Sequence, residues 1–533
     1  MKRHIDKKLV KSVSLIIALF VLLPAFRGAA EDRKQAVVYP VTPTCDQVDD
    51  YFDTKVQDPY RWLENENDEK VKKWIDEQNK VTEAYLSRIP YREKIFRRLL
   101  EVYNYPRYTS PFRVGKYYFF SRNDGLQDQS VIYIQEGLTG KPEIFLDPNK
   151  LSKDGTVAAR LAGASKDDRY IAYTRSEAGS DWREIHIMEV ETKKELPDVI
   201  RWLKFSAVSW FGAGFFYARY DEPEKGKELT AENVFQKVFY HRLGDPQEKD
   251  TLIYEDPIHP KRYHRTYVTE DQKYLVLDIT EGTHGNEIYV KDLANKEAKF
   301  LPLVTGFANN NNVIENIDDK FIALTDCDAP HKRVVLIDSK NPAKDRWVTV
   351  IPEKPEVIQA ARSAGGRLFV HYLKDACTRI YRHSRGGELE TEIALPTLGS
   401  AAGFAGEKED NILFYVFNSY TYPTTIYKYD IAANKSEVFR EAEIKFNPLD
   451  YETKQVFYKS KDETNIPMFI VHRKGLLLDG SHPLYLYGYG GFNASGTPGF
   501  DTSLIILLEN GGIYAEANIR GGGEYGEEWH KAG

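Results

Sequence analysis

Short runs of aromatic and β-branched residues, separated by Gly, Asp, Asn and Lys, recur between Arg113 and Arg440. Each recurrence has a first apolar strand, a polar loop and a second apolar strand, a pattern that predicts antiparallel strand pairs. The first strands are predicted at Lys116–Ser121, Tyr170–Thr174, Phe215–Arg219, Tyr274–Asp278, Phe321–Thr325, Leu368–Tyr372 and Ile412–Val416. The partner strands are predicted at Val131–Gln135, Ile185–Glu189, Val238–His241, Ile288–Lys291, Val334–Asp338, Ile380–Arg382 and Ile426–Tyr429.

Seven such units follow one another at a spacing of roughly 50 residues, and repeats of this length built from short strands are typical of a β-propeller. In a propeller each unit is a four-stranded blade. A large irregular β-sandwich is the alternative, and the regular spacing favours the propeller. The pattern therefore predicts a seven-bladed β-propeller over residues 113–440.

The segment before the repeats has the spacing of a helix. Its apolar residues fall on one face at 3.6 residues per turn, and Pro90 ends the pattern; they are Val71, Trp74, Ile75, Val81 and Tyr85. We expect this to be the only long helix that precedes the C-terminal region.

The segment after the repeats predicts a different kind of sheet. Gln455–Ser460 and Met468–His472 predict a hairpin, and Leu484–Tyr487 predicts a buried strand. Leu504–Leu508 predicts a short helix, and Ile513–Ile519 predicts another strand. Because a helix joins these last two strands, we expect a right-handed crossover in a mostly parallel sheet.

The N-terminus has the pattern of a secretory signal. Basic residues precede the apolar run Val13–Phe26, and small residues at Gly28, Ala29 and Ala30 come before the charged Glu31. The apolar run is shorter than the roughly 20 residues that span a bilayer. We therefore expect residues 1–30 to be a cleaved signal peptide, with an uncleaved anchor as the alternative. A secreted or periplasmic protein without a stable membrane span follows from this.

The composition narrows the range of possible functions. Of the 533 residues, 42% are hydrophobic and 13% aromatic, which is enough for packed cores. The net charge of −7 and the lack of a long basic run beyond the N-terminus make nucleic acid an unexpected partner. Cys45, Cys327 and Cys377 are too far apart for a CxxC metal site, so we expect buried or half-buried thiols and no metal.

A glycine-rich segment carries the candidate chemistry. His482-Pro483-Leu484-Tyr485-Leu486-Tyr487-Gly488-Tyr489-Gly490-Gly491-Phe492-Asn493 has the pattern of a strand that runs into a glycine-rich turn. In α/β-hydrolases the loop after such a strand supplies a hydrogen-bond donor to the oxyanion of the tetrahedral intermediate. By itself this segment is also compatible with an ordinary turn surrounded by packed aromatic side chains.

Several motifs together resemble the prolyl oligopeptidase family. They are Asp58-Pro59-Tyr60-Arg61-Trp62-Leu63-Glu64, Gly179-Ser180-Asp181-Trp182, Glu195-Leu196-Pro197-Asp198, Ile466-Pro467-Met468-Phe469-Ile470-Val471, the glycine-rich segment, and Asn518-Ile519-Arg520-Gly521-Gly522-Gly523-Glu524-Tyr525-Gly526. The resemblance extends from about Asp58 to Gly533. It implies a seven-bladed β-propeller plus an incomplete α/β-hydrolase domain, with hydrolase segments at 31–112 and 441–533 on either side of the propeller.

The resemblance also assigns roles to individual residues. Tyr489 matches the tyrosine whose hydroxyl donates to the oxyanion, and Phe492 matches an aromatic residue of the pocket for the proline ring. Ile187 aligns with a propeller residue that is usually Phe and faces the substrate. The implied activity is a serine endopeptidase that cleaves short proline-containing peptides after proline, as a monomer and without a cofactor.

The catalytic nucleophile is the part of the resemblance that the sequence lacks. None of its serines lies in a Gly-x-Ser-x-Gly elbow, and the family's Ser, Asp and His would lie beyond Gly533. We therefore expect a fragment that does not hydrolyse peptides. His482 and His530 are expected to be ordinary surface or packing histidines.

Two alternatives are also compatible with the sequence. One is a propeller that has lost catalysis and binds peptides. The other is a different peptidase of the same superfamily, such as oligopeptidase B or a dipeptidyl peptidase. Gly491-Phe492 stands where oligopeptidase B would have Ser-Tyr, and no Glu-Glu pair in the blade region supports the dipeptidyl peptidase.

Overall fold

The computed structural model describes residues 37–65, 67–228 and 230–533. The expected signal peptide at residues 1–30 lies outside them. Residue contacts divide the chain into two compact units. The smaller unit comprises the described residues up to Tyr103, with His472–Tyr485 and Asp501–Tyr514. The larger unit comprises Asn104–Val471, Leu486–Phe500 and Ala515–Gly533. The boundaries 31–112, 113–440 and 441–533 stay predictions.

The smaller unit contains a hairpin and most of the helical residues. Strands β1 (Val48–Tyr51) and β2 (Thr54–Gln57) pair antiparallel. Helix α1 (Glu69–Leu86) begins at Asp68, whose side chain accepts a hydrogen bond from the backbone N–H of Lys70, and it confirms the predicted helix. Helix α2 (Arg92–Tyr103) shows that the expectation of a single long helix was wrong. Its buried side chains Ile95, Leu99 and Val102 have the i, i+4, i+7 spacing of a helix face.

Seven successive antiparallel sheets follow in the described part of the larger unit, and each consists of neighbours in sequence. Sheet 1 contains β3 (Arg107–Tyr108), β4 (Phe112–Val114), β5 (Tyr117–Asn123), β6 (Val131–Glu136) and β7 (Glu143–Leu146). Sheet 2 contains β8 (Ala158–Ala164), β9 (Tyr170–Ser176), β10 (Arg183–Glu189) and β11 (Glu195–Leu203). Sheet 3 contains β12 (Ser209–Phe211), β13 (Gly214–Arg219), β14 (Lys237–Arg242) and β15 (Thr251–Tyr254).

The next four sheets repeat the same order. Sheet 4 contains β16 (Tyr263–Val268), β17 (Tyr274–Thr280), β18 (Asn286–Asp292) and β19 (Leu301–Val304). Sheet 5 contains β20 (Asn311–Ile317), β21 (Lys320–Thr325), β22 (Arg333–Asp338) and β23 (Val348–Ile351). Sheet 6 contains β24 (Val357–Ala364), β25 (Arg367–Lys374), β26 (Cys377–Ser384) and β27 (Leu389–Ile393). Sheet 7 contains β28 (Ser400–Gly403), β29 (Ile412–Ser419), β30 (Tyr422–Asp430) and β31 (Lys435–Arg440). All fourteen predicted strands are confirmed as the two inner strands of these sheets.

Apolar side chains fill the spaces between neighbouring sheets. Phe119 and Tyr173 belong to one cluster that joins sheets 1 and 2, and comparable clusters follow in each consecutive pair up to sheets 6 and 7. Sheet 7 also contacts sheet 1, because the rings of Tyr118 and Phe414 are 6.1 Å apart and the Arg440 guanidinium lies 3.9 Å from the Phe120 ring centroid. Burial of this apolar surface is the main stabilising contribution to such sheets.

A further sheet, sheet 8, has the strand order β32-β33-β35-β34. Its strands are β32 (Tyr451–Lys459), β33 (Asn465–Arg473), β34 (Leu484–Tyr487) and β35 (Ile513–Ala517). Helix α3 (Leu504–Glu509) precedes β35, and helix α4 (Glu527–Lys531) follows it. The hairpin, the short helix and both later strands are confirmed.

The prediction that β34 is buried was wrong. Leu484 and Leu486 are 59% and 56% exposed. As alternate residues of a strand they lie on one face of sheet 8, which the described residues leave largely uncovered. The three cysteines are free; Cys327 and Cys377 are buried and Cys45 is half-buried, as expected. Within the described ranges, no helix has the length and apolar character to cross a membrane.

Candidate active site

The glycine-rich loop (residues 488–496) begins where β34 ends at Tyr487. Gly490 has a φ of +64°, and a Cβ atom on it would lie 2.6 Å from Cγ1 of Ile519 and 2.7 Å from the carbonyl oxygen of Arg520. Only glycine combines this left-handed backbone with so close an approach to a neighbouring chain segment. Gly490 therefore lets the loop pack directly against Ile519-Arg520.

A tight turn presents the next residues. The N–H of Ala494 donates to the carbonyl oxygen of Gly491 at 3.0 Å, and the N–H of Asn493 donates to the carbonyl oxygen of Gly521 at 3.1 Å. Both central residues of the turn have positive φ, +54° for Phe492 and +58° for Asn493. Asn tolerates this conformation, whereas a bulky Phe does so only under strain of about 1–3 kcal/mol.

A buried carboxylate supports this turn. Glu527, at the start of α4, accepts a hydrogen bond at Oε1 from Nδ2 of Asn493 at 2.9 Å. Its Oε2 lies 3.5 Å from Nδ1 of His284, in the loop between β17 and β18. The backbone N–H of Glu527 also donates to the carbonyl oxygen of Pro330 at 3.3 Å. The turn is thus held by a segment that is itself attached to two loops of the strand repeats.

Tyr489 and Phe492 project from this loop. The Tyr489 ring covers Gly491, since a Cβ there would lie 3.2 Å from Cε1 and Cζ of the ring. Tyr489 is 55% exposed, and its hydroxyl has no hydrogen-bond partner within the part of the chain that the structure describes. Phe492 is 76% exposed. A free hydroxyl donor and an apolar ring three residues apart suit an oxyanion and a proline ring respectively.

Ile187 has a different environment. It lies in β10, is fully buried, and belongs to an apolar cluster with Phe215 and Tyr217. Its alignment with a substrate-facing residue stays a prediction.

A second buried carboxylate lies under the end of the loop and was missed by the sequence analysis. Oε1 of Glu524 accepts a hydrogen bond from the N–H of Gly496 at 2.7 Å, and Nδ2 of Asn518 donates to the carbonyl oxygen of Gly496 at 2.7 Å. Burial raises the pKa of the Glu524 carboxyl, although the hydrogen bond from Gly496 opposes the rise. The Gly-Gly-Gly-Glu run is recognisable as a motif, but its local pattern gives no sign of which backbone groups Glu524 supports.

The other titratable groups near the loop have structural contacts. Nδ1 of His530 donates a hydrogen bond to the carbonyl oxygen of Gly521 at 2.7 Å. Among the described residues, no group of three or more His, Cys, Asp or Glu side chains is placed to hold a metal ion.

Family profiles match most of the chain. Residues 40–442 match the profile described as "Prolyl oligopeptidase, N-terminal beta-propeller domain", and residues 498–533 match "Prolyl oligopeptidase family". The chain belongs to the prolyl oligopeptidase family. It therefore has the prolyl oligopeptidase fold, with an N-terminal β-propeller domain and part of the hydrolase domain.

Individual members of the prolyl oligopeptidase family are similar over nearly the whole chain. The prolyl endopeptidase of Elizabethkingia meningoseptica is 44% identical over 522 residues, which cover 98% of this chain and 73% of that protein. The prolyl endopeptidase of Dictyostelium discoideum is 34% identical, and the matched region covers 75% of that protein.

Solved structures of the prolyl oligopeptidase family superpose on most of this chain. A prolyl endopeptidase from a study of inter-domain dynamics in catalysis and specificity superposes with a TM-score of 0.87 at 34% identity, covering 93% of this chain and 73% of that one. Prolyl oligopeptidase B from Galerina marginata, bound to a 25mer macrocyclization substrate, superposes with a TM-score of 0.86 at 30% identity, covering 93% and 74%.

Proposed function

We propose that this chain acts in a serine endopeptidase of the prolyl oligopeptidase type, which cleaves short peptides after proline. The observation that carries the proposal is the pairing of an unpartnered Tyr489 hydroxyl with an exposed Phe492 on a strained turn. Tyr489 would donate a hydrogen bond to the oxyanion, where one such donor is worth about 10²–10³ in kcat. Phe492 would pack on the proline ring, which has no N–H to satisfy.

The proposal includes the arrangement of the chain. We assign residues 113–440 to a seven-bladed propeller, and the contacts of Tyr118 with Phe414 and of Phe120 with Arg440 support its closure. Residues 31–112 and 441–533 are assigned to the hydrolase domain. Residues 1–30 are assigned to a signal peptide of a secreted or periplasmic, monomeric protein, on their charge and apolar pattern alone.

The lack of a nucleophile motif limits the activity that we expect from these 533 residues by themselves. The sequence contains no Gly-x-Ser-x-Gly elbow, so we propose that the chain binds prolyl peptides but does not hydrolyse them. The expected result is no release of fluorophore from an N-blocked Gly-Pro fluorogenic amide and no labelling by a serine-directed fluorophosphonate. Turnover that the fluorophosphonate abolishes would contradict the absence of a nucleophile.

A chimera tests the endopeptidase itself. The part of the Elizabethkingia meningoseptica prolyl endopeptidase that follows its aligned region would be joined after Gly533. We expect the chimera to cleave the Gly-Pro amide and not its Gly-Ala or Gly-Arg counterparts. Equal cleavage after Arg would favour oligopeptidase B specificity. A folded chimera that binds prolyl peptides without cleaving them would favour the peptide-binding alternative.

A further inference from the structure

A cavity of about 430 Å³ opens among sheets 4, 5 and 6. Its lining includes the loop after β17, the start of β20, the loop before β22 and the middle of β24. Polar side chains with hydrogen-bond donors contribute much of the wall, among them Thr280, Asn312, Lys332, Gln359 and Arg362. We refer to it as the Lys332 pocket. None of the roles considered above uses it.

Two cations in this pocket lack a counter-ion. The Lys332 ammonium and the Arg362 guanidinium have no ion pair and no side-chain hydrogen bond in the ranges that the structure describes. Burial lowers the pKa of Lys332, and the charges of Asp326 and Glu527 only partly offset this. Neither carboxylate forms an ion pair with Lys332. Asp326 accepts from the backbone and side-chain N–H groups of Asn310, and Glu527 accepts from Asn493 at Oε1 only. The ammonium is therefore half desolvated without being neutralised, a state that an anion would relieve.

The pocket adjoins the glycine-rich loop. Nε2 of Gln359, in its wall, donates to Oγ of Ser495 at 3.5 Å. Ser495 follows Phe492 by three residues in the same loop. Because an extended peptide advances about 3.3 Å per residue, one that packs its proline on Phe492 reaches the pocket within a few residues.

We propose that the Lys332 pocket is an anion subsite that binds a carboxylate of the peptide substrate through Lys332 and Arg362, so that acidic prolyl peptides bind in preference to neutral ones. This rests on the proposed peptide-binding function. The amide of Gln359 and the hydroxyl of Thr280 would supply further hydrogen bonds. The carboxylate belongs to an Asp or Glu side chain or to the C-terminus of the peptide, and these two sources are separable by experiment.

The test measures binding to the full 533-residue chain by isothermal titration calorimetry. The probes are a neutral peptide, acetyl-Ala-Asn-Ala-Pro-Ala-Asn-amide, two versions with Asp in place of one Asn, and the neutral sequence with a free C-terminal carboxylate. We expect at least one acidic probe to bind about ten-fold more tightly than the neutral probe, as for one charge-assisted contact. Which probe gains identifies the source of the carboxylate.

Three variants assign the effect. Lys332→Met and Arg362→Met each should remove most of the preference for the acidic probe, measured as the ratio of its affinity to that of the neutral probe. Lys296→Met, at an exposed site outside the pocket, changes the net charge equally and should preserve the preference. Because Arg362 is exposed, its variant keeps the test valid if Lys332→Met fails to fold.

Each other outcome overturns the inference. Equal affinity for all four probes shows that the pocket does not bind a carboxylate. A preference that Lys332→Met and Lys296→Met reduce alike shows only long-range attraction. If no probe binds, the proposed function fails along with the subsite. If the neutral probe binds, Phe492→Ala abolishes that binding and no acidic probe binds more tightly, the function stands and the subsite is refuted.

Discussion

Asn493 and Glu527 lie 34 residues apart in sequence and are joined by a hydrogen bond of 2.9 Å between Nδ2 and Oε1. This contact fixes the turn from which Phe492 projects, and Asn493 itself has a φ of +58°. Asn493 therefore has two separable functions: its side chain holds the turn to α4, and its backbone tolerates a left-handed conformation.

Two substitutions at this position distinguish the side chain from the backbone. Asn493→Ala loses the hydrogen bond and places Ala at an unfavourable φ, so we expect it to cost about 2–3 kcal/mol in the free energy of unfolding and to weaken binding of a prolyl peptide. Asn493→Gly loses only the hydrogen bond and should cost about 1 kcal/mol. Urea denaturation and calorimetry with the neutral peptide measure both. Equal effects of the two variants would show that backbone strain is irrelevant here.

The role of the Tyr489 hydroxyl predicts an effect on catalysis without an effect on stability. In the chimera described above, Tyr489→Phe should lower kcat by about ten- to a thousand-fold, because one oxyanion donor is lost. The Tm should not change, since this hydroxyl has no hydrogen bond to lose among the described residues. An unchanged kcat would mean that the ring only packs on Gly491.

The two adjacent glycines should respond differently to alanine. A methyl group on Gly490 would meet Ile519 and Arg520 at 2.6–2.7 Å with a φ of +64°, so Gly490→Ala should destabilise the protein by about 2 kcal/mol or more. A methyl group on Gly491 meets only the Tyr489 ring, at 3.2 Å and without positive φ. Gly491→Ala should therefore leave the Tm nearly unchanged and lower kcat of the chimera by moving that ring. Circular dichroism melts measure the loss of stability, and the fluorogenic assay measures the loss of kcat. A larger decrease in Tm for Gly491→Ala than for Gly490→Ala would contradict this prediction.

The inner strands of the repeats were predictable because their information is local. Tyr274–Asp278 begins with a continuous apolar run that follows the polar residues 270–273, and the strand β17 extends it by only two residues, to Thr280. The exposure of Leu484 was not predictable from its own segment, because it depends on whether another part of the fold covers that face of sheet 8. An apolar run of four residues has the same pattern in either case.

The candidate site was predictable only in part, because some of its contacts are local in sequence and others are not. The glycines and aromatic residues of the loop are contiguous in sequence, so their motif indicates them. Glu527 and the Lys332 pocket depend on contacts between segments tens to hundreds of residues apart, such as Gln359 with Ser495. A charged residue in a loop gives no sequence signal of whether its counter-ion is present in the fold.

A buried histidine between two aspartates joins sheets 2 and 3. Nε2 of His241, in β14, lies 3.0 Å from Oδ1 of Asp198 in β11, and Nδ1 lies 2.7 Å from Oδ1 of Asp250. All three side chains are fully buried. Tyr217 donates to the other oxygen of Asp250 at 2.6 Å, and the N–H of Gly244 donates to Asp198 at 2.6 Å. Burial alone lowers the pKa of His241, but the hydrogen bonds and charges of Asp250 and Asp198 outweigh it, so the pKa is raised.

This raised pKa predicts stability that declines in alkali. A histidine with a higher pKa in the folded state contributes its full stabilisation below about pH 6.5, the unfolded value, and loses it as pH rises through the folded pKa. At pH 6, His241→Gln should cost about 3 kcal/mol or more, because two buried carboxylates lose their cation. As the pH rises past the folded pKa, the neutral imidazole of the wild type no longer compensates those carboxylates, so the difference in Tm between the two proteins should narrow. Thermal melts of both from pH 6 to pH 9 measure this, with His259→Gln, at an exposed site, as the control. A difference in Tm that stays constant over this range would show that His241 does not titrate between the two aspartates.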